Sequence, residues 1–112
     1  MNNDISIAVD RASFLELARV FHRNRDTFGA AFVTLTLGNG KLIIEFRNGG
    51  SVLRCDCPQA LVAKITAKAF SGIAIAYRFD KSEEKTIELT FRPEFGEFAT
   101  PLAGAKAKIT LG

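Results

Sequence analysis

Apolar and polar positions alternate along this chain in a pattern that is used twice. The stretch Val9-Asp10-Arg11-Ala12-Ser13-Phe14-Leu15-Glu16-Leu17-Ala18-Arg19-Val20-Phe21 aligns with Ile65-Thr66-Ala67-Lys68-Ala69-Phe70-Ser71-Gly72-Ile73-Ala74-Ile75-Ala76-Tyr77 at an offset of 56 residues, half the chain. Val9 then falls on Ile65, Phe14 on Phe70, Leu17 on Ile73, Ala18 on Ala74 and Phe21 on Tyr77. Phe14, Leu17, Ala18 and Phe21 stand at i, i+3, i+4 and i+7, the spacing of one helix face. The first helix is therefore expected over 11–24, with Ala12, Glu16, Arg19 and Arg23 outward, and the second over 67–77. Asp10 and Thr66 precede the two helices. Their side-chain oxygens suit an N-cap, where they accept a bond from a backbone N–H that has no partner within the helix.

Period-two alternation predicts strands around these helices. They are expected at 5–9, 32–37, 41–46, 51–57, 61–65 and 86–91, with weaker ones at 95–99 and 105–111. Gly38-Asn39-Gly40 supplies residues that accept positive φ, so 32–46 reads as a hairpin. Val52 and Arg54 share one face of their strand and Leu53, Cys55 and Cys57 the other. Pro58 ends that strand, because proline donates nothing to a ladder. Residues 24–29, 47–50 and 80–85 read as connections.

Each half thus reads β-α-β-β-β. The expected fold class is α+β: a single domain over 1–112, with repeats at about 1–58 and 59–112 related by a pseudo-twofold, and helices on one face of antiparallel sheets. A rival reading stays open for the middle of the chain. There, 58–70 is helical with Gly72 as its C′ residue, and the alternating Ile73, Ile75, Tyr77 and Phe79 form a strand.

Composition narrows the class. At 47% apolar and 24% charged residues the chain resembles an ordinary globule, and its length supports one core. No apolar run approaches the span of a bilayer, and Met-Asn-Asn-Asp has no basic or apolar leader character. No membrane association and a cytoplasmic location are therefore expected. The net charge of +3 suits a polyanion partner without demanding one, and no basic tail is present.

Catalytic chemistry finds little support. His22 is the single histidine and has no serine, cysteine or acid at a catalytic spacing. The glycine pairs follow strands but open no helix, so they lack a phosphate-loop context. Cys55 and Cys57 are poorly spaced for an unstrained disulfide with each other, and two thiols do not complete a zinc site. They read as reduced strand cysteines, with an intermolecular metal or redox role as the other reading. No enzyme activity, cofactor or metal is expected.

Two β-α-β-β-β units in one domain resemble the sliding DNA clamp family, the bacterial polymerase β clamp and the proliferating cell nuclear antigen. The likeness is closest in Ile7-Ala8-Val9-Asp10-Arg11-Ala12-Ser13-Phe14-Leu15-Glu16-Leu17-Ala18-Arg19-Val20, which looks like the strand-then-helix opening of a bacterial clamp domain. Val62-Ala63-Lys64-Ile65-Thr66-Ala67-Lys68-Ala69-Phe70 looks like its second strand–helix junction. The resemblance implies a ring of six such domains closed through edge strands, with helices lining the hole. It implies a homo-oligomer, duplex DNA as partner, and a processivity-type or DNA-associated role.

Cations on the outward helix faces are what phosphates would attract without reading sequence. Arg19, Arg23 and Lys68 are the first candidates, with Arg11 and Lys64 nearby. An ordinarily solvated helix face is the competing reading. The alternative function is a protein-interaction module of the same fold, indifferent to DNA, which uses Ile75 as an outward apolar contact or accepts a partner at an edge strand. Lys106 and Lys108 alternate on the last strand, where they either protect an edge or leave it for a partner.

Overall fold

The structure is a computed structural model that describes residues 4–23, 32–46, 49–56, 59–78, 83–100 and 106–111. Its elements are β1 (Ile5–Asp10), α1 (Arg11–Arg23), β2 (Phe32–Gly38), β3 (Lys41–Phe46), β4 (Gly49–Arg54), β5 (Leu61–Thr66), α2 (Ala67–Arg78), β6 (Thr86–Arg92), a 3₁₀ turn (Pro93–Phe95), β7 (Glu97–Ala99), β8 (Lys106–Lys108) and β9 (Thr110–Leu111). They make an α+β domain with two antiparallel sheets, ordered β1-β6-β7-β8 and β4-β3-β2-β5-β9.

The first strand of each half pairs in the other half's sheet. β1 runs antiparallel to β6, with Asp10 opposite Thr86. β5 runs antiparallel to β2, with Thr66 opposite Phe32. Each helix cap therefore sits beside the start of the strand that follows the other helix. At both corners a strand passes from one sheet to the other. Beyond β4, Cys55 bridges Val9 of β1. Beyond β8, the chain passes buried Ile109 into β9, which pairs with β5.

Both caps form. Asp10 Oδ2 accepts bonds from the Ser13 backbone N–H at 2.9 Å and the Ser13 hydroxyl at 2.8 Å. Thr66 Oγ1 accepts from the Ala69 backbone N–H at 3.2 Å. Ala12, Glu16, Arg19 and Arg23 are all exposed on α1, as their spacing predicts. The α2 helix over Ala67–Arg78 excludes the rival reading of a strand beginning at Ile73. A strand there would break the match with α1 and leave Phe70, Ile73 and Tyr77 on no common face; in the helix all three are buried.

The two helices pack on one another. Phe14 meets Phe70 edge-on at 6.4 Å and Tyr77 at 5.4 Å between ring centroids. Beneath them lie Val33, Leu35, Leu37, Leu42, Ile44 and Ile65 from one sheet, and Ile7, Val9, Leu89, Phe91 and Phe98 from the other. Each such side chain contributes roughly 1.5–3 kcal/mol when withdrawn from water.

The hairpin at 32–46 closes with a two-residue loop. Gly38 pairs with Lys41, and Asn39 and Gly40 have φ of 54° and 72°. Positive φ at both loop residues is the requirement of a type I′ turn, whose twist matches that of the flanking strands. The expected strand at 51–57 begins two residues earlier and ends at Arg54. Cys57 and Pro58 lie outside the described residues, as do the connection 24–29 and the residues 47–48 and 80–82 of the other two. The expected strand at 105–111 is two pieces, because the chain changes partners there: β8 pairs with β7 and β9 with β5 of the other sheet, and between them the Ile109 N–H still donates to the carbonyl of Gly96, opposite β8, at 2.8 Å.

Candidate nucleic-acid interface

The candidate surface is built on the outward sides of α1 and α2. On α1, Glu16, Arg19 and Arg23 follow each other at i, i+3 and i+7, and all three are exposed. Arg19 Nη1 lies 3.8 Å from Glu16 Oε2, with both side chains largely in solvent. Such an exposed pair is worth little, so the arginine remains open to a competing phosphate. Arg19 and Arg23 occupy the C-terminal part of α1, where a cation also meets the negative end of the helix dipole.

On α2, Lys68 is exposed in the first turn and Gly72 one turn later. Ile75, expected to point outward as an apolar contact, is half-buried. It falls where α1 carries Arg19, so the second helix presents fewer cations than the first. The side chains of Ala18, Phe21, His22, Ala74 and Arg78 lie outside what the structure describes, as does Arg25.

The remaining candidates are placed elsewhere. Arg11 is 9% exposed, and its backbone N–H donates to the Lys85 carbonyl at 2.8 Å. This ties the start of α1 to the approach of β6, and the residue as a whole is almost withdrawn from solvent. Lys64 is exposed, but it alternates with buried Ala63 and Ile65 on β5. It therefore stands on the face of its sheet opposite the core and the helices. The structure keeps Arg19, Arg23 and Lys68 on outward helix positions and separates Arg11 and Lys64 from them.

Asp10 carries the electrostatic mark of its place at the start of α1. The Ser13 backbone N–H, and then the Ser13 hydroxyl, hold its carboxyl below the ordinary aspartate range by bonding the charged form. This is the signature of a cap. Two open grooves flank the helices. One is lined by Asp10, Arg11, Ala12, Leu15, Glu84 and Lys85, the other by Ala69, Gly72, Ile73, Lys106 and Ala107. Neither places a nucleophile beside a base. Among the described residues, no cluster of three or more His, Cys, Asp or Glu side chains could hold a metal ion. Cys55 is a half-buried thiol. Among the described residues, no helix is long and apolar enough to cross a membrane.

One polar network was invisible in the sequence. Arg92 Nε lies 3.3 Å from Asp4 Oδ2, and its Nη1 3.8 Å from Glu97 Oε2. Lys106 Nζ lies 3.9 Å from Glu97 Oε1, and the Arg92 guanidinium covers the Phe95 ring at 4.5 Å. These groups come from three separate segments, Asp4, the 92–97 turn and Lys106, and only the fold brings the three together. The network engages Lys106, one of the two cations on the β8 edge. Compared with known proteins, the chain matches no family model, no curated protein and no solved structure.

Proposed function

We propose that this chain is a non-enzymatic, DNA-clamp-like domain, with two β-α-β-β-β halves related by a pseudo-twofold, that self-associates and contacts duplex DNA through α1 and α2. The observation that carries the reading is the pair of capped helices packed side by side over a shared core, with Arg19, Arg23 and Lys68 on their outward positions. The strand exchange adds support. The orders β1-β6-β7-β8 and β5-β2-β3-β4 correspond when the halves are interchanged, as two equivalent halves require. Contact of this kind neutralises phosphates and reads no bases, so it suits a processivity-type or DNA-associated factor.

The test is fluorescence anisotropy with a labelled duplex across a salt series. Binding should weaken linearly in log affinity against log salt. Arg19→Ala with Arg23→Ala should lower the slope by about 2, roughly one unit for each phosphate that is no longer neutralised. No binding at low salt would remove the DNA role and leave the protein-interaction module as the reading of the fold.

A further inference from the structure

The two sheets turn chemically different faces outward. In the sheet β1-β6-β7-β8, the row Ser6–Thr90–Ala99–Lys106 runs straight across the strands. It is polar and internally satisfied: Ser6 and Thr90 share a hydrogen bond at 3.0 Å, and Lys106 pairs with Glu97. The row at the same place in the other sheet's order is Val62–Thr36–Ile43–Val52. Here Val52 is 55% and Val62 41% exposed, and Ile43 is half-buried. Solvation alone asks for the polar choice at both rows, and the chain makes it at only one.

We propose that this outer face of the five-stranded sheet is an isologous interface for a second copy of the chain, with the dyad lying along the apolar row. Charge complementarity selects that occupant. A dyad along the row sets each residue against its own counterpart within the row and exchanges the flanking rows. On β3, Lys41 and Glu45 stand two residues to either side of Ile43, both exposed and both outside any ion pair among the described residues. The dyad brings Glu45 onto the partner subunit's Lys41, and the reciprocal pair forms by symmetry. On β4, Arg54 and Gly50 flank Val52 in the same way, so each arginine arrives over the partner subunit's Gly50. The dyad thus sets unlike charges against each other on β3 and a large side chain over a small one on β4, while Lys64, in the row of Glu45 through Thr34, meets no acid in the exchanged row Gly38–Lys41–Arg54.

Two twisted sheets stack with their strands aligned within about 30°. Strands about 4.8 Å apart give a face roughly 20 Å on each side. Two copies then bury about 800 Å² in total, below the floor of about 1,000 Å² for a stable specific interface, so the dimer is a weak one that dissociates at micromolar concentration. The arrangement leaves α1, α2 and their cations uncovered, and it is separate from any edge-to-edge closure of a ring.

Sedimentation equilibrium of the full chain from micromolar to several hundred micromolar tests this, with circular dichroism melts confirming that each variant folds. A monomer–dimer equilibrium is expected. Val52→Lys, at a solvent-exposed position, should weaken it at least tenfold, as should Lys41→Glu or Glu45→Lys alone through like-charge contacts. The double variant Lys41→Glu with Glu45→Lys should restore the dimer to within a few-fold. A monomer throughout, a dimer indifferent to Val52→Lys, or folded single variants that the double exchange does not rescue would each overturn the proposal. A larger assembly that survives Val52→Lys would also overturn it, and the anisotropy titration would still report separately on DNA.

Discussion

Asp10 and Thr66 perform one task at two places, but they respond differently to acid. Asp10 holds its hydrogen bonds as a carboxylate, and its pKa in the folded chain lies below the unfolded value. Its contribution is therefore complete above the unfolded aspartate value of about 3.9 and is lost as pH falls through the lower folded value. Melts between pH 6 and pH 2 should show the native chain losing an increment below about pH 4 that Asp10→Asn does not lose, since the amide oxygen still caps without titrating. Thr66 carries no such dependence, and Thr66→Ala should cost about 1 kcal/mol at any pH. Gly72 is the opposite case. It is exposed within α2, and a Cβ there would meet nothing within 4 Å. Gly72→Ala should stabilise the chain by about 1 kcal/mol, seen as a rise of several degrees in Tm. At Gly96 a Cβ would stand 3.2 Å from the Ile109 carbonyl oxygen in a left-handed backbone, so alanine there should destabilise.

At the scale of elements, the packing of α1 on α2 governs the helix surface. Phe14 touches both Phe70 and Tyr77, so its ring fixes how the helices sit against each other. Phe14→Ala should cost about 3–5 kcal/mol in chemical denaturation. A double-mutant cycle with Phe70→Leu should return a coupling of about 0.5–1.5 kcal/mol, the scale of an edge-on aromatic pair; additivity would show that the rings do not act together. These elements were legible in the sequence because their signals are local. Helix spacing, cap residues and the Asn39-Gly40 loop are each set within a few positions. What could not be read depends on pairing between distant segments. The break of the last strand at Ile109 follows from its change of partner, from β7 in one sheet to β5 in the other, and nothing near residue 109 in the sequence announces it. The burial of Arg11 and the bond of its backbone to the β6 approach exist only in the fold.

The candidate site divides along the same line. Exposure of Arg19, Arg23 and Lys68 was legible, because helical periodicity states which side turns outward. Lys64 is the opposite case: the pattern puts it on a strand and Lys68 on the helix that follows, but only the packing of that helix shows that the two cations lie on different sides of the sheet. The apolar row Val62–Thr36–Ile43–Val52 emerges only from the register of four strands. No single strand looks unusual by itself.

For the molecule as a whole, the governing feature is that each half completes the other's sheet. This brings the helices together, joins the sheets at both corners and sets the cations on one helical layer. A chain whose halves each closed on themselves would separate α1 from α2 and divide that layer. Cross-strand proton contacts in solution test this most directly. A nuclear Overhauser spectrum of the labelled chain should show main-chain contacts between Ser6 and Thr90 and between Thr36 and Val62, one pair in each sheet and both crossing between halves. Contacts from β1 to β2, or from β5 to β6, in place of these would contradict the account.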